Sequence, residues 1–257
     1  MSDRIRNTFA RLKNQGRKAF VGYLTAGDPD MRRSEADIRA AIRDGVDILE
    51  LGVPFTDPTA DGPVIQAASH RSLAAGTTVE TVLALVRRLR RHSDLPIVLF
   101  GYANPFYSYG YRDLCIDAAA AGVDGFLIVD MPFEETGELN AFAAPLGLAL
   151  IRIVAPTTPL QRARRILADA NGFVYYVMVT GVTGARAKVS SGIGRHMAIL
   201  RRATRLPVVV GFGISNGRQA RLAAASADGA VVGSALVHAA REGGLVRLVR
   251  DIRKALD

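Results

Sequence analysis

The sequence predicts an α/β protein, a (β/α)8 TIM barrel formed as a single domain over residues 1–257. Three observations predict it. Eight short apolar runs alternate with amphipathic stretches from one end of the chain to the other, with no linker and no break in composition. The length of 257 residues matches the ~250 residues that such a barrel takes. The last two apolar runs end in glycine-rich turns, where barrels commonly bind phosphate. A doubly wound open sheet is the alternative arrangement of the same alternation.

Taken in order, strands are expected to begin near Phe20, Asp47, Pro96, Asp124, Leu148, Phe173, Pro207 and Asp228. Helical patterns fall between them, from Ser34 to Arg43, Val79 to Arg91, Tyr111 to Ala121, Glu134 to Ala144, Leu160 to Ala170 and Gly217 to Ala225. Two connections exceed what a simple barrel needs. The loop after the second strand runs through Pro63 into an extra helix, Val64 to Ala74. The loop after the sixth spans Thr180 to Gly192. Both leave the C-terminal ends of strands, the end that carries the chemistry of barrels, and long loops there suggest a lid. In the fifth strand Arg152 faces the helices if Ile153 faces the interior.

The second strand, Asp47-Ile48-Leu49-Glu50-Leu51-Gly52, holds the most informative residue. A period of two places Glu50 on the face of Ile48 and Gly52, with Leu49 and Leu51 opposite. Both faces are otherwise apolar, as in a strand buried on both sides. A carboxylate there is costly unless it is neutral, paired or catalytic, and burial prepares it to carry a proton near neutral pH. The following loop adds Asp57 and Asp61 in more polar surroundings, so neighbouring carboxyls have different environments. Glu50, Asp61, Tyr102 and Tyr175 are the candidate proton carriers at strand ends. Tyr175 and Tyr176 are adjacent, so only one of them faces inward.

Other chemistries find little support. Lys13, Lys18, Lys188 and Lys254 are the only lysines among 33 basic residues, and none lies in an apolar strand run as an imine-forming lysine would. His70, His92, His196 and His238 fall in helical or flanking stretches without metal-ligand spacing, so no metal is expected. Cys115 is alone, which rules out an internal disulfide. No apolar run reaches the ~18 residues of a membrane span, and the polar start Met1 to Arg6 lacks a signal-peptide core, so no membrane association and a cytoplasmic location are expected. The net charge of +9 raises nucleic acid as a partner. The arginine clusters 87–91 and 201–205 instead read as solvated helix ends without interleaved aromatics, and no nucleic acid is expected. A dispersed positive field also suits a phosphorylated substrate. Val208 to Asn216, with Gly211 and Gly213, and Ala230 to Ala235, with Gly233 and Ser234, form the candidate phosphate site. Gly184 could close over it from the sixth loop.

The run Glu50-Leu-Gly-Val-Pro-Phe-Thr-Asp-Pro-Thr-Ala-Asp-Gly-Pro63 resembles the signature of the tryptophan synthase alpha subunit family. The resemblance extends to Tyr23–Pro29, Asp130-Met-Pro132, Ala155–Pro159, Phe173–Val177, Thr180–Arg186 and Gly211–Ile214. It implies retro-aldol cleavage of indole-3-glycerol phosphate to indole and glyceraldehyde 3-phosphate in tryptophan biosynthesis, a carbon–carbon lyase reaction without a cofactor in this chain. Glu50 and Asp61 would be the catalytic pair. Tyr23, Phe100, Tyr102, Leu127, Val129, Ile153, Tyr175 and Phe212 would bind the substrate, with Thr183 supporting Asp61. Gly184, Gly213, Gly233 and Ser234 would hold its phosphate. The resemblance also implies an α2β2 heterotetramer, in which a beta subunit carrying pyridoxal phosphate receives the indole, with Asp57 and Pro132 near that partner. A stand-alone lyase and a weakly active regulatory subunit are the alternatives. The sequence departs from the family pattern at Thr56, Thr59, Arg152 and Met178.

Overall fold

The computed structural model describes residues 3–178, 194, 196–211 and 213–257. Among the described residues nine short strands form one parallel sheet: β1 Ala19–Thr25, β2 Ile48–Gly52, β3 Ile97–Gly101, β4 Gly125–Ile128, β5 Ala149–Leu150, β6 Arg152–Val154, β7 Val174–Val177, β8 Val208–Gly211 and β9 Gly229–Val232. Their order is β5-β4-β3-β2-β1-β9-β8-β7-β6. The two edges, β5 and β6, are halves of one strand on either side of Ile151, so the sheet closes on itself as the expected eightfold barrel. The break was not anticipated and has a simple cause. Up to Ile151, whose N–H donates to Phe126 O at 2.9 Å, the strand follows β4. From Arg152 it pairs in register with β7. The change of partner is the closure itself.

Alternation along the strands sorts side chains into two cores. Ala19, Val21, Ile48, Val98, Leu127, Ala149, Ile151, Val209 and Val231 fill the barrel, while Leu49, Leu51, Leu99, Phe126, Val208 and Val210 pack outward beneath the helices. The N-terminal end of the barrel is plugged by a helix over Asp3–Asn14, which the polar first residues did not suggest. Its Ile5, Phe9 and Leu12 recur at helical spacing and join the interior cluster, with Phe9 against Phe173 at 5.8 Å between ring centroids. The final helix, Leu245–Leu256, was also not anticipated. Helix Met31–Asp44 starts earlier than expected because Asp30 caps it through the Arg33 N–H. The expected helix from Glu134 is reduced to a 3-10 turn, Phe133–Glu135, and Gly137–Ala143, and that from Leu160 ends at Ile166.

Three aspartates at the N-terminal strand ends repeat one device. Asp47, Asp124 and Asp228 each accept an amide from the start of a neighbouring strand, from Phe20, Ile97 and Val208 at 2.9, 2.9 and 2.7 Å. Each also pairs with a helix arginine, respectively Arg253, Arg90 and Arg201. Arg90 is therefore no solvated helix end. Its side chain is largely buried and also donates to Gly122 O at 2.8 Å. Arg152, in the fifth strand, faces the helices as expected and donates to Thr136 Oγ1 at 2.8 Å and to the Asp169 carboxylate. Among the described residues no helix is long and apolar enough to cross a membrane.

The plug makes a direct prediction. Ile5 is fully buried, so Ile5→Ala opens a cavity at the barrel floor. It is expected to cost about 2–5 kcal/mol of stability, read as a fall of several degrees in thermal midpoint; an unchanged midpoint would contradict the plug's role.

Candidate active site

The C-terminal mouth of the barrel is built from residues two apart on successive strands. Tyr23 of β1 lies beside Glu50 of β2 in the register, and Glu50 lies beside Val98 of β3. Glu50 thus shares the inward face with Ile48 and Gly52, and its side chain is only 1% exposed. Its Oε1 has no hydrogen-bond partner among the described residues. Burial alone pushes its pKa up to about 8, so the carboxyl is mostly protonated at neutral pH.

Two glycines make the space around it. A Cβ on Gly52 would stand 2.2 Å from the Tyr23 hydroxyl oxygen, and one on Gly211 would stand 2.4 Å from that of Tyr175. Each phenol therefore leans over a glycine of the barrel wall, and any side chain at either position would displace it. Tyr23 also packs edge-on against Phe100, with ring centroids 5.0 Å apart, and its hydroxyl is 3.3 Å from Thr25 Oγ1. Burial raises the pKa of both phenols, and the charges of Asp61 and Glu50 raise both further. Both acids therefore lie near enough to the same two hydroxyls to act on them electrostatically. Tyr176 points outward into the helix-side core, which resolves the adjacent pair in favour of Tyr175.

Asp61 comes from the loop after β2. The loop is braced by its own turn, with Asp61 N–H to Pro58 O at 3.0 Å, and by the helix Pro63–Ala74 that follows. From this helix Gln66 Nε2 donates to Asp61 O at 2.9 Å. Tyr102, just beyond β3, donates its hydroxyl to Asp61 Oδ2 at 3.0 Å and accepts the Ala60 N–H at 3.0 Å. Phe55 packs on the Tyr102 ring at 5.3 Å between centroids. Burial raises the Asp61 pKa, and the Tyr102 hydroxyl opposes that rise. Asp61 is half-buried, and its environment favours a charged, hydrogen-bonded carboxylate more than that of Glu50 does.

Phe100, Val129, Ile153 and Tyr175 form the partly exposed upper rim of the interior cluster, whereas Leu127 is fully buried one layer lower. Gly233 lies against the Tyr23 ring, and Ser234 opens the helix Ser234–Arg241, where the Leu236 and Val237 amides donate to Gly233 O at 2.8 and 3.2 Å. Gly213 is exposed, with a φ of 42°. Asp57 and Pro132 are both exposed in loops at the same end of the barrel. Thr183, Gly184 and Phe212 lie outside the described residues. Gln66 was not singled out from the sequence, and nothing local to a glutamine one turn into a helix marks it.

The chain matches the family model described as tryptophan synthase alpha chain over residues 9–253. It belongs to the tryptophan synthase alpha chain family. The Geobacter sulfurreducens tryptophan synthase alpha chain is 53% identical over 234 residues, covering 91% of this chain and 89% of the relative. That of Geotalea daltonii is 51% identical over the same shares. Among solved structures, the alpha chain from Legionella pneumophila superposes with a TM-score of 0.90 at 34% identity, covering 99% of this chain and 97% of the other. A chain of the aminoacrylate-bound tryptophan synthase from M. tuberculosis does so with a TM-score of 0.90 at 31% identity, covering 99% of each. Family membership agrees with the barrel and with the resemblance carried by the Glu50–Pro63 run.

The buried acid has a measurable consequence for stability. Its folded pKa of about 8 lies above the ordinary 4.5, so the folded chain keeps a proton that the unfolded chain releases across that window. This contribution is present in full below about pH 4.5 and is lost as pH rises through about 8. Relative to the parent, Glu50→Gln should therefore gain stability between about pH 5 and about pH 9. The gain should reach a few kcal/mol, since each tenfold change in a protonation equilibrium is worth ~1.4 kcal/mol. Chemical denaturation across that range checks this; a pH-independent difference would contradict it.

Proposed function

We propose that this chain cleaves indole-3-glycerol phosphate to indole and glyceraldehyde 3-phosphate, a carbon–carbon lyase reaction, with Glu50 as general acid and base and Asp61 as its electrostatic partner. The observation that carries the reading is the inward, buried Glu50 carboxyl, its Oε1 unpartnered among the described residues, together with a half-buried Asp61 held by Tyr102 in the loop that follows the same strand. With a pKa of about 8, Glu50 begins the cycle protonated. It gives that proton to indole C3, and the ring nitrogen gains positive character. Asp61 accepts a hydrogen bond from the indole N–H and stabilises that charge. The Glu50 carboxylate, left in a water-poor site, then takes the proton of the hydroxyl on the carbon attached to C3. The bond between that carbon and C3 breaks, its electrons restore the indole ring, and the carbon becomes the aldehyde. One proton enters and one returns to Glu50, so the cycle balances without a metal, an imine or a cofactor in this chain.

Binding follows from the same surfaces. Tyr23, Phe100, Leu127, Val129 and Ile153, with Phe212, wall the indole, and Tyr175 places the substrate. Tyr102 holds Asp61 in position within the binding site. The amides at Gly213, Gly233 and Ser234, with Gly184, hold the phosphate, which suits a helix N-terminus. Thr183 supports Asp61 once the sixth loop closes. The work is assigned to the cytoplasm, in an α2β2 complex whose beta subunits carry pyridoxal phosphate and receive indole. Exposed Asp57 and Pro132 lie on the loops nearest that partner. The intact acid pair favours a working lyase over a merely regulatory subunit.

An indole-release assay tests the proposal. Glu50→Gln should lower turnover by at least about a hundredfold while leaving the circular dichroism spectrum unchanged, with and without a beta subunit. Retained turnover would overturn the assignment of Glu50.

A further inference from the structure

At the opposite end of the barrel, beside the N-terminal plug, lies a cavity of about 790 Å3. That volume is within the ~300–1,000 Å3 of small-molecule sites. Six cationic side chains line it: Arg6, Lys13, Arg17, Lys18, Arg201 and Arg205. Asp228 is the one carboxylate among its lining residues, and it is already paired with Arg201. Arg6 pairs with Asp3, Arg17 with Asp257, and Lys18 Nζ donates to Ala227 O at 2.7 Å. Lys13 and Arg205 have no acidic partner among the described residues. The floor is apolar, with half-buried Leu206 and Pro207 accessible over the buried Phe9 and Leu12.

We propose that this cavity is a second binding site, distinct from the mouth, for an organic polyphosphate of the nucleoside triphosphate class. Lys13 and Arg205 bring uncompensated positive charge to a concavity whose other cations are already paired or hydrogen-bonded, and a polyanion supplies the missing counter-charge. Several phosphates suit the cations better than one, because Lys13 and Arg205 leave the chain from different segments, the plug helix and the turn before β8. The guanidinium group of Arg205 offers a planar fork for phosphate oxygens, and Lys13 offers a point charge. The apolar floor gives the non-phosphate part of the ligand a surface to cover. None of these residues borders Glu50 or Asp61, so occupancy here is independent of substrate phosphate at the mouth.

The test is calorimetric titration of the full chain with ATP, run with saturating glycerol phosphate to occupy the mouth. The expected result is saturable one-to-one binding, weakened at least about tenfold by the double substitution K13A/R205A, and weakened when salt rises from about 0.1 to about 0.5 M. Both positions are exposed, and the double variant should keep the parent's fold and indole release. Inorganic tripolyphosphate should bind more weakly than ATP. Absence of saturable binding, or binding that survives K13A/R205A, would overturn the site. Tripolyphosphate binding as tightly as ATP would remove the role of the floor and overturn the assignment to an organic ligand. Failure of any of these leaves the lyase reading to stand on its own assay.

Discussion

A carboxyl group buried inside a parallel barrel, one of its oxygens unpartnered among the described residues, is the constraint from which the rest of the mouth follows. Water would solvate Glu50 as an anion, and the barrel does not. The group is therefore kept as a neutral acid, and keeping it so requires its surroundings to stay dry. Tyr23 and Tyr175 supply much of that shield, and Gly52 and Gly211 exist as glycines because the two phenols occupy the space of a Cβ. The second acid needs different surroundings, and Asp61 has them in a loop with a phenolic donor and partial solvent access. The two carboxyls thereby acquire different environments: burial raises both, and a phenolic hydrogen bond opposes that rise at Asp61 and not at Glu50.

The two ends of the barrel answer different demands. At the N-terminal end, Asp47, Asp124 and Asp228 tie strand amides to helix arginines, and the Asp3–Asn14 helix plugs the interior. These contacts fasten the frame and leave the C-terminal end free to hold loops. The loop from Val53 to Gly62 is still not left loose. Tyr102, Gln66 and its own turns set the position of Asp61 against the frame. Positioning by a rigid scaffold is what a proton transfer of this kind requires, because its rate falls steeply with misplacement.

How much of this was legible in the sequence depends on the range of each interaction. The two-residue period of a strand, a local property, put Glu50 on the face of Ile48 and Gly52 and Arg152 opposite Ile153, while which face looks inward is set by the closure of the barrel. Asp61 was marked as a candidate proton carrier by its place in the loop, and paired with Glu50 as the catalytic couple only by the family resemblance. Its tie to Tyr102 joins residues 41 apart, and no local pattern encodes such a bond. Arg90 looked like a solvated helix end because its partner, Asp124, is 34 residues away and buried. The break at Ile151 was invisible because both halves are equally extended. It records where the sheet closes, which is a property of the whole barrel. The plug helix was overlooked because Ile5, Phe9 and Leu12 are sparse among charges, and only the open floor of the barrel gives them something to cover.

The central claim is that Glu50 is a protonated acid at neutral pH because the barrel keeps it dry. Carbon-13 NMR of the glutamate side-chain carboxyls, with Glu50 assigned by its loss in Glu50→Gln, tests this most directly. The account predicts one carboxyl resonance that titrates near pH 8, well above the ordinary 4.5. A Glu50 resonance that titrates with the surface glutamates would contradict it.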